Sequence, residues 1–270
     1  MQENIISAAN NPKIKKLLAL QQKAAERRRS GLFVVEGLRE LQHCTEAGLE
    51  IDTVFFCPEI LENSGDAVAM LPKGVRRCEV TAGVYDKIAY RGGTEGIVAE
   101  VRARRLRLEE LQMKENPLVV VLESVEKPGN LGAVLRSADA AGVDAVIVCD
   151  PLTDIYNPNL IRSSIGAVFT VPCVACTSDE CIAYLKAKGI QILTAQLQDS
   201  NLYYDTDMTC GTAIVMGTEA TGLTEAWRQA ATRHIRIPML GRLDSLNVSV
   251  SAGILMFEAV RQRQRCFPER

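Results

Sequence analysis

Three short segments in the second half of the chain combine glycines with amide, hydroxyl, guanidinium and carboxylate side chains. They span residues 126–136, 216–223 and 237–251. The two later segments each follow a short apolar run, which indicates a loop at the carboxyl end of a buried parallel strand. Open parallel α/β sheets bind their ligands at those ends. We therefore expect the chemistry of the chain at these loops.

The first segment does not match the glycine patterns of nucleotide-binding loops. Gly129 and Gly132 are three residues apart, and no third glycine stands where a dinucleotide fingerprint needs one. No Gly-Lys-Ser/Thr follows, so a P-loop is also excluded. Taken alone, Asn130 fits a helix cap and Arg136 fits a solvated helix residue.

The third segment is more specific than the second. Residues 216–223 alone fit a strand-to-helix turn, with Glu219 near a helix start, where a carboxylate is favoured. In residues 237–250, a helix N-cap explains either Ser245 or Asn247. It does not explain the whole run Ile-Pro-Met-x-Gly-x-x-x-Ser-Leu-Asn-Val-Ser-Val.

Together the three segments resemble the motifs of the SpoU (TrmH-type) branch of the SPOUT RNA methyltransferases. The runs Asn-Leu-Gly-x-x-x-Arg and Gly-x-Glu-x-x-Gly-Leu match its first two motifs, and the run from the third segment matches its third. The resemblance implies an enzyme that methylates the ribose 2′-hydroxyl of RNA with S-adenosylmethionine. The catalytic residues it implies are Asn130, Arg136, Glu219, Ser245 and Asn247. The cofactor-binding residues it implies are Gly217, Ile237, Met239 and Leu246.

Two roles stay open for Arg136. The family pattern implies that this arginine helps to remove the proton of the 2′-hydroxyl. A guanidinium has a pKa above about 12 and is a poor base. The alternative is that Arg136 holds a phosphate or the hydroxyl and stabilises developing alkoxide charge.

The resemblance also implies an α/β fold in which a parallel-sheet SPOUT domain ends in a trefoil knot, a rare exception to unknotted topology. Continuous apolar, β-branched runs independently predict buried parallel strands at 118–122, 145–149, 190–193 and 212–216. Helices are predicted over 130–142, 179–188 and 247–263. The last helix is apolar on too many sides for a surface helix, so we expect it in the core or in a homodimer interface. The family's dimers imply that the arginine of the first motif can serve the partner's active site.

Residues 1–103 are predicted to form a small α/β domain that resembles the ribosomal-protein-like, RNA substrate-binding module of the family. Its predicted strands are 32–35, 53–56 and 96–101, with a helix over 38–48. A charged linker, 104–117, then leads to the methyltransferase domain, 118–270. Basic residues cluster between positions 11 and 30, where a solvated helix face is the alternative to RNA binding. The RNA-binding residues we predict are Lys15, Lys16, Arg27, Arg28, Arg29 and Arg162.

Arg162 belongs to residues 159–169, a segment expected to be a capped helix that runs into a strand. We assign this segment to structure or to RNA contact.

The composition of the chain argues against several other classes of protein. The net charge is −2 and aromatic residues make up 5% of the chain, so a base-stacking platform is not expected. No apolar run approaches the roughly 18 residues of a membrane span, and a signal-peptide core is missing, so we expect a cytoplasmic protein. Cys173, Cys176 and Cys181 could be read as a metal knuckle, but a second cysteine pair is missing. We expect small buried hydrophobic residues there and no metal.

The function predicted from these features is methylation of ribosomal RNA, because the family's appended N-terminal domain favours that substrate. Transfer RNA is an alternative substrate. A non-catalytic RNA-binding or ribosome-assembly protein on the same fold is the alternative of another class. The third motif argues against a base-methylating relative. The missing third glycine argues against a nicotinamide enzyme.

Overall fold

The computed structural model describes residues 5–61, 74–90, 95–218, 221–243 and 245–263. The chain forms two compact units. The first comprises Met1–Arg104 and Tyr156–Gly166, and the second comprises Arg105–Ile155 and Ala167–Arg270.

The first unit contains a four-stranded sheet in the order β1-β4-β2-β3. Its strands are β1 (Leu32–Glu36), β2 (Ile51–Phe56), β3 (Arg76–Glu79) and β4 (Ile97–Arg102). Its helices are α1 (Pro12–Gln22), α2 (Ala24–Ser30), α3 (Leu38–Glu46), α4 (Ala82–Ile88) and, from the later segment, α6 (Pro158–Ser163). β4 is antiparallel to both of its neighbours, whereas β2 and β3 are parallel. The three strands and the helix predicted here are confirmed, with boundaries shifted by up to two residues.

The basic N-terminal segment forms two helices. Asn11 caps α1, because its side chain accepts a hydrogen bond from the Lys13 amide, and Pro12 is the first helical residue. Lys23 then adopts an extended conformation and separates α1 from α2. The basic residues of this segment therefore do not share one continuous helix face.

Arg27, one of the predicted RNA-binding cations, points into the first unit instead of into solvent. The residue is buried, and its Nη1 donates hydrogen bonds to the carbonyls of Leu20, at 2.6 Å, and Gln21, at 3.2 Å. These carbonyls lie in the last turn of α1, where they lack helical partners. Arg27 thus closes α1, and we leave it out of the proposed RNA surface.

The segment that contains Arg162 belongs to the first unit. The Tyr156 ring stacks on Phe33, with 4.2 Å between ring centroids. The N-cap of α6 is Asn157. The expected strand near residue 168 is wrong, because Ala167–Thr170 is helical (α7) and the next strand begins at Cys173.

The second unit is built on a seven-stranded sheet in the order β7-β6-β5-β10-β8-β11-β9, and every pairing in it is parallel. The strands are β5 (Leu118–Glu123), β6 (Ala145–Cys149), β7 (Cys173–Cys176), β8 (Gln191–Ala195), β9 (Asn201–Leu202), β10 (Thr212–Met216) and β11 (Arg233–Arg236). The helices, besides α7, are α5 (Pro128–Ala141), α8 (Ser178–Ala187), α9 (Glu225–Ala230) and α10 (Val248–Gln262). All four strands and all three helices predicted for this part of the chain are confirmed.

Every residue of β5, β6 and β10 is buried, as expected for central strands of a parallel sheet. Alternate strand residues pack with α8 and α9 around the fully buried Trp227. Leu108 and Leu111 join this core from the segment predicted to be a linker.

The last helix is buried along one side. Ala252, Leu255 and Met256 are fully buried, and α10 packs on α5 and on strands β5 and β10. Val250 and Phe257 are exposed. Within the described part of the chain, no helix combines the length and the apolar character needed to cross a membrane.

We predict that Arg27→Ala lowers the free energy of unfolding by about 2 kcal/mol or more, because two buried carbonyls lose a charged donor. Arg28→Ala is the matched control, since Arg28 is the exposed neighbour in the same helix. Its change should stay within about 0.5 kcal/mol. Urea unfolding measures both values, and equal losses in the two variants would contradict the structural role of Arg27.

Candidate active site

The strand order places the starts of the three predicted segments along one edge of the sheet. β5, β10, β8 and β11 are neighbours in this order and run parallel, so their carboxyl ends lie side by side. The first segment follows β5, the second follows β10 and the third follows β11. Segments far apart in sequence therefore start from adjacent positions, as the parallel-sheet prediction required.

The loop after β10 folds back on its own backbone. The Thr218 amide donates to the Gly222 carbonyl, and the Gly222 amide donates to the Thr218 carbonyl at 3.0 Å. A Cβ on Gly217 would lie 2.3 Å from both the carbonyl carbon and the carbonyl oxygen of Gly222. Gly222 has a φ of +68°, a conformation that favours glycine. The loop therefore requires glycine at both positions.

A buried carboxylate, which the sequence analysis missed, holds the far end of this loop. Glu123 ends β5 and is 2% exposed. Its Oε2 accepts from the Thr224 amide at 2.9 Å, and its Oε1 accepts from the Thr224 hydroxyl at 2.7 Å. Ser178 also donates to Oε1, and Trp227 Nε1 donates to the Ser178 hydroxyl. The sequence offered one signal for this carboxylate, namely an acidic residue directly after a continuous apolar strand.

A cavity of about 370 Å³ opens between the loops that follow β8, β10 and β11. This volume lies within the range of small-molecule sites. Gly217, Ile237, Met239 and Leu246, the four residues predicted to bind cofactor, all line it. Ser245 lines it as well. Apolar side chains and two glycines form more than half of the wall, and polar residues form the rest, among them Gln196, Arg228 and Arg236. The wall therefore offers a ligand both packing surfaces and hydrogen-bonding groups.

A hydrogen bond joins the first motif to the third. Asn247 Nδ2 donates to Asn130 Oδ1 at 3.1 Å. Asn247 is also the N-cap of α10, because its Oδ1 accepts from the Ser249 amide and hydroxyl. Asn130 does not cap α5, since the cap position is Lys127 and Asn130 is the third helical residue. The two asparagines thus form one polar group beside the cavity.

The other predicted catalytic residues are placed differently. Arg136 is exposed, and it lies six residues beyond Asn130, about 9 Å along the axis of α5. The structure therefore does not bring Arg136 into the asparagine pair of the same chain. Ser245 is exposed at the cavity wall. Glu219 lies outside the described residues.

Apart from Arg27, the predicted RNA-binding residues of the first unit differ in whether they form an ion pair with an acidic side chain. Lys16 Nζ lies 2.5 Å from Glu100, and burial raises the pKa of that carboxyl. Arg29 pairs with Glu26 at 2.5 Å. The exposed cations of this segment include Lys15 and Arg28.

Arg162 is exposed at the end of α6, where it lines a cleft of the first unit. Arg39 and Glu40 line the same cleft, so its charge is mixed.

The sheet and the loops at its carboxyl edge define an α/β ligand-binding protein whose site combines an asparagine pair with glycines, apolar side chains and polar side chains. Residues 117–257, just over half of the chain, match the model of the SpoU rRNA Methylase family. Residues 11–99 match the MRM3-like substrate binding domain. The chain belongs to the SpoU rRNA methylase family, and the resemblance seen in its three motifs is confirmed.

Two curated relatives and a solved structure illustrate this similarity. The 23S rRNA (guanosine-2′-O-)-methyltransferase RlmB of Vibrio vulnificus is 38% identical over 196 residues, which cover 70% of this chain and 79% of that protein. The 23S rRNA (uridine(2479)-2′-O)-methyltransferase of Streptomyces viridochromogenes is 30% identical over 94% of this chain and 91% of its own. The AdoMet-bound rRNA methyltransferase of Sinorhizobium meliloti superposes with a TM-score of 0.85 at 31% identity, over 95% of this chain and 97% of that structure.

We predict that Gly217→Ala lowers the free energy of unfolding by about 1–3 kcal/mol, because the new methyl group forces the two backbone segments apart. Gly83→Ala is the control, since a Cβ on Gly83 would meet nothing within 4 Å. Gly83 is also helical, so its change to alanine should be neutral or stabilising. Denaturant unfolding of both variants measures this difference. No loss of stability in Gly217→Ala would disprove the close approach.

Proposed function

We propose that this protein is an S-adenosylmethionine-dependent 2′-O-ribose methyltransferase that acts on ribosomal RNA. The observation that carries the proposal is the Asn247–Asn130 hydrogen bond, because Leu246 and Val248, on either side of Asn247 in the chain, line the cavity. It joins the motif that follows β5 to the motif that follows β11 at one position. The group that orients the acceptor therefore lies next to the cavity that binds the donor.

The cavity suits S-adenosylmethionine in size and lining. Gly217 lets a ligand approach the backbone directly after β10, because glycine has no side chain to block that position. Ile237, Met239 and Leu246 provide apolar contacts for it. When bound, S-adenosylmethionine supplies the electrophilic methyl group on its sulfonium.

The chain's own residues would position the ribose and favour the ionised oxygen. In-line transfer to a hydroxyl depends mainly on holding the two reactants in line, and it does not require a metal. Asn130, fixed by Asn247, and Ser245 offer amide and hydroxyl groups to the nucleotide. A guanidinium is a poor base, so we assign Arg136 to the phosphate or to the developing alkoxide charge. For Glu219, which the resemblance places in the second motif, we propose that its carboxylate holds an active-site asparagine or arginine in place.

Ribosomal RNA is the substrate we favour over transfer RNA. The relatives described above are named for 23S rRNA, and the first unit matches a substrate-binding domain. Phosphates would bind cations of the first unit, and the RNA would release its condensed counterions on binding. The cations we propose are Lys15, Lys16, Arg28, Arg29 and Arg162. A ribosomal substrate is consistent with the cytoplasmic location expected from the sequence, which stays a prediction.

We further propose the trefoil knot, the ribosomal-protein-like identity of the first unit, and a homodimer. The exposed Val250 and Phe257 of α10 support a dimer, because an apolar helix face gains stability when a partner covers it. A partner's site would also give a role to Arg136, which lies away from the asparagine pair of its own chain.

The function is tested by transfer of tritium from labelled S-adenosylmethionine into deproteinised ribosomal RNA and bulk transfer RNA. We predict label in ribosomal RNA that survives alkali as a resistant dinucleotide and is lost in Arg136→Ala. Cofactor binding without label in either RNA would indicate an assembly-stage substrate. If the wild type neither binds the cofactor nor transfers label, the non-catalytic RNA-binding alternative is favoured.

We predict that Asn247→Asp lowers the rate of methyl transfer by a factor of about 100 or more. Removal of one preorganised hydrogen-bond donor from an enzyme active site typically has an effect of this size. Aspartate still caps α10, but it cannot donate to Asn130. Unfolding and cofactor affinity should therefore change little, and single-turnover kinetics measure the loss. If the variant is clearly less stable and its loss of activity follows from unfolding, Asn247 acts only as a helix cap.

A further inference from the structure

Three cysteine thiols from separate elements of the second unit meet at one point. Cys149 ends β6, Cys176 ends β7, and the two residues are paired in register across the parallel strands. Cys181 is the fourth residue of α8, which follows β7. The three Sγ atoms all lie within 4.8 Å of one another. The cysteine spacing in the sequence predicted no metal here, because a second cysteine pair is missing and only the fold brings Cys149 in β6 beside β7.

The spacing of the thiols suits one thiolate-binding ion. Zinc binds cysteine sulfur at about 2.3 Å in a tetrahedral arrangement, so its sulfur ligands lie roughly 3.8 Å apart. The three side chains need only a small inward movement to reach that spacing. Cys173 serves as a comparison, because it lies in the same strand and is buried outside the cluster.

The surroundings suit a bound ion as well. Cys149 and Cys181 are fully buried in the apolar core formed around Ile147 and Leu185. Cys176 is only half-buried, so the cluster has a side that solvent reaches. Several buried thiolates without a cation would be very unfavourable, whereas a divalent ion compensates their charge. The exposed side leaves room for a water molecule as fourth ligand.

We propose that Cys149, Cys176 and Cys181 bind one zinc ion, at a site separate from the methyl-transfer site. Binding replaces the thiol protons, which pass to the solvent, and no electrons are transferred. The ion would tie β6 and β7 to the first turns of α8. Ser178 in this part of α8 donates to Glu123, which holds Thr224 after the Gly217 loop. The site would therefore stabilise the loop after β10 through Ser178 and Glu123.

The test is metal analysis of the full chain, purified without chelators, together with cobalt titration of the metal-free protein. The wild type and the Cys173→Ser control should each retain about one zinc ion per chain. With cobalt they should show the near-ultraviolet sulfur-to-cobalt charge-transfer band. Cys149→Ser, Cys176→Ser and Cys181→Ser should each lose most of the zinc and most of that band. Circular dichroism checks that each variant folds, and the half-buried Cys176 gives the variant least prone to misfold.

Three results would overturn the proposal. The first is wild-type protein that holds far less than one zinc ion and gives no charge-transfer band with cobalt. The second is equal metal content in a folded Cys176→Ser variant and in the wild type. The third is a disulfide between two of the three cysteines, shown by alkylation and mass mapping of native protein, since a redox pair would then account for the cluster. All three readouts are independent of methyl transfer, so failure of the proposed function would not affect them.

Discussion

The close approach of backbone at Gly217 and Gly222 is the constraint on which the site depends. A Cβ at position 217 would lie only 2.3 Å from the Gly222 carbonyl, so no side chain fits there. The loop after β10 can therefore turn back at once and leave the end of its strand open to a ligand. Glu123 fixes the other end of the same loop from the neighbouring strand through two hydrogen bonds to Thr224. The cavity thus depends on backbone packing as much as on the side chains that line it.

The parallel sheet converts this local constraint into an active site. β10 lies between β5 and β8, and β11 follows β8, so the loops of three motifs begin side by side. The Asn247–Asn130 hydrogen bond then connects the start of α10 to the first turn of α5, two helices that also pack on each other. A change in the register of α10 against α5 would break this bond and move Leu246 and Val248, which line the cavity.

The sequence predicted the buried strands and the main helices because continuous β-branched runs, such as residues 118–122, have few alternatives to a central parallel strand. Its second and third motifs also pointed to four residues that line one cavity, whereas their role in binding a cofactor stays a prediction. It could not predict long-range polar contacts. Glu123 lies 101 residues from Thr224, and Cys149 lies far from Cys176 and Cys181. The role of Arg27 was hidden by two arginine neighbours of the same charge, since only the fold shows which one turns inward.

The proposed function requires that the loops at the carboxyl edge of the sheet bind S-adenosylmethionine. Hydrogen–deuterium exchange of the full chain, with and without S-adenosylmethionine, tests it most directly, because bound ligand protects the backbone amides it orders. We predict protection in residues 195–198, 216–223, 235–239 and 245–251, with little change in the sheet of the first unit. Protection confined to the cleft around Arg39 and Arg162, or no protection at saturating cofactor, would contradict the account.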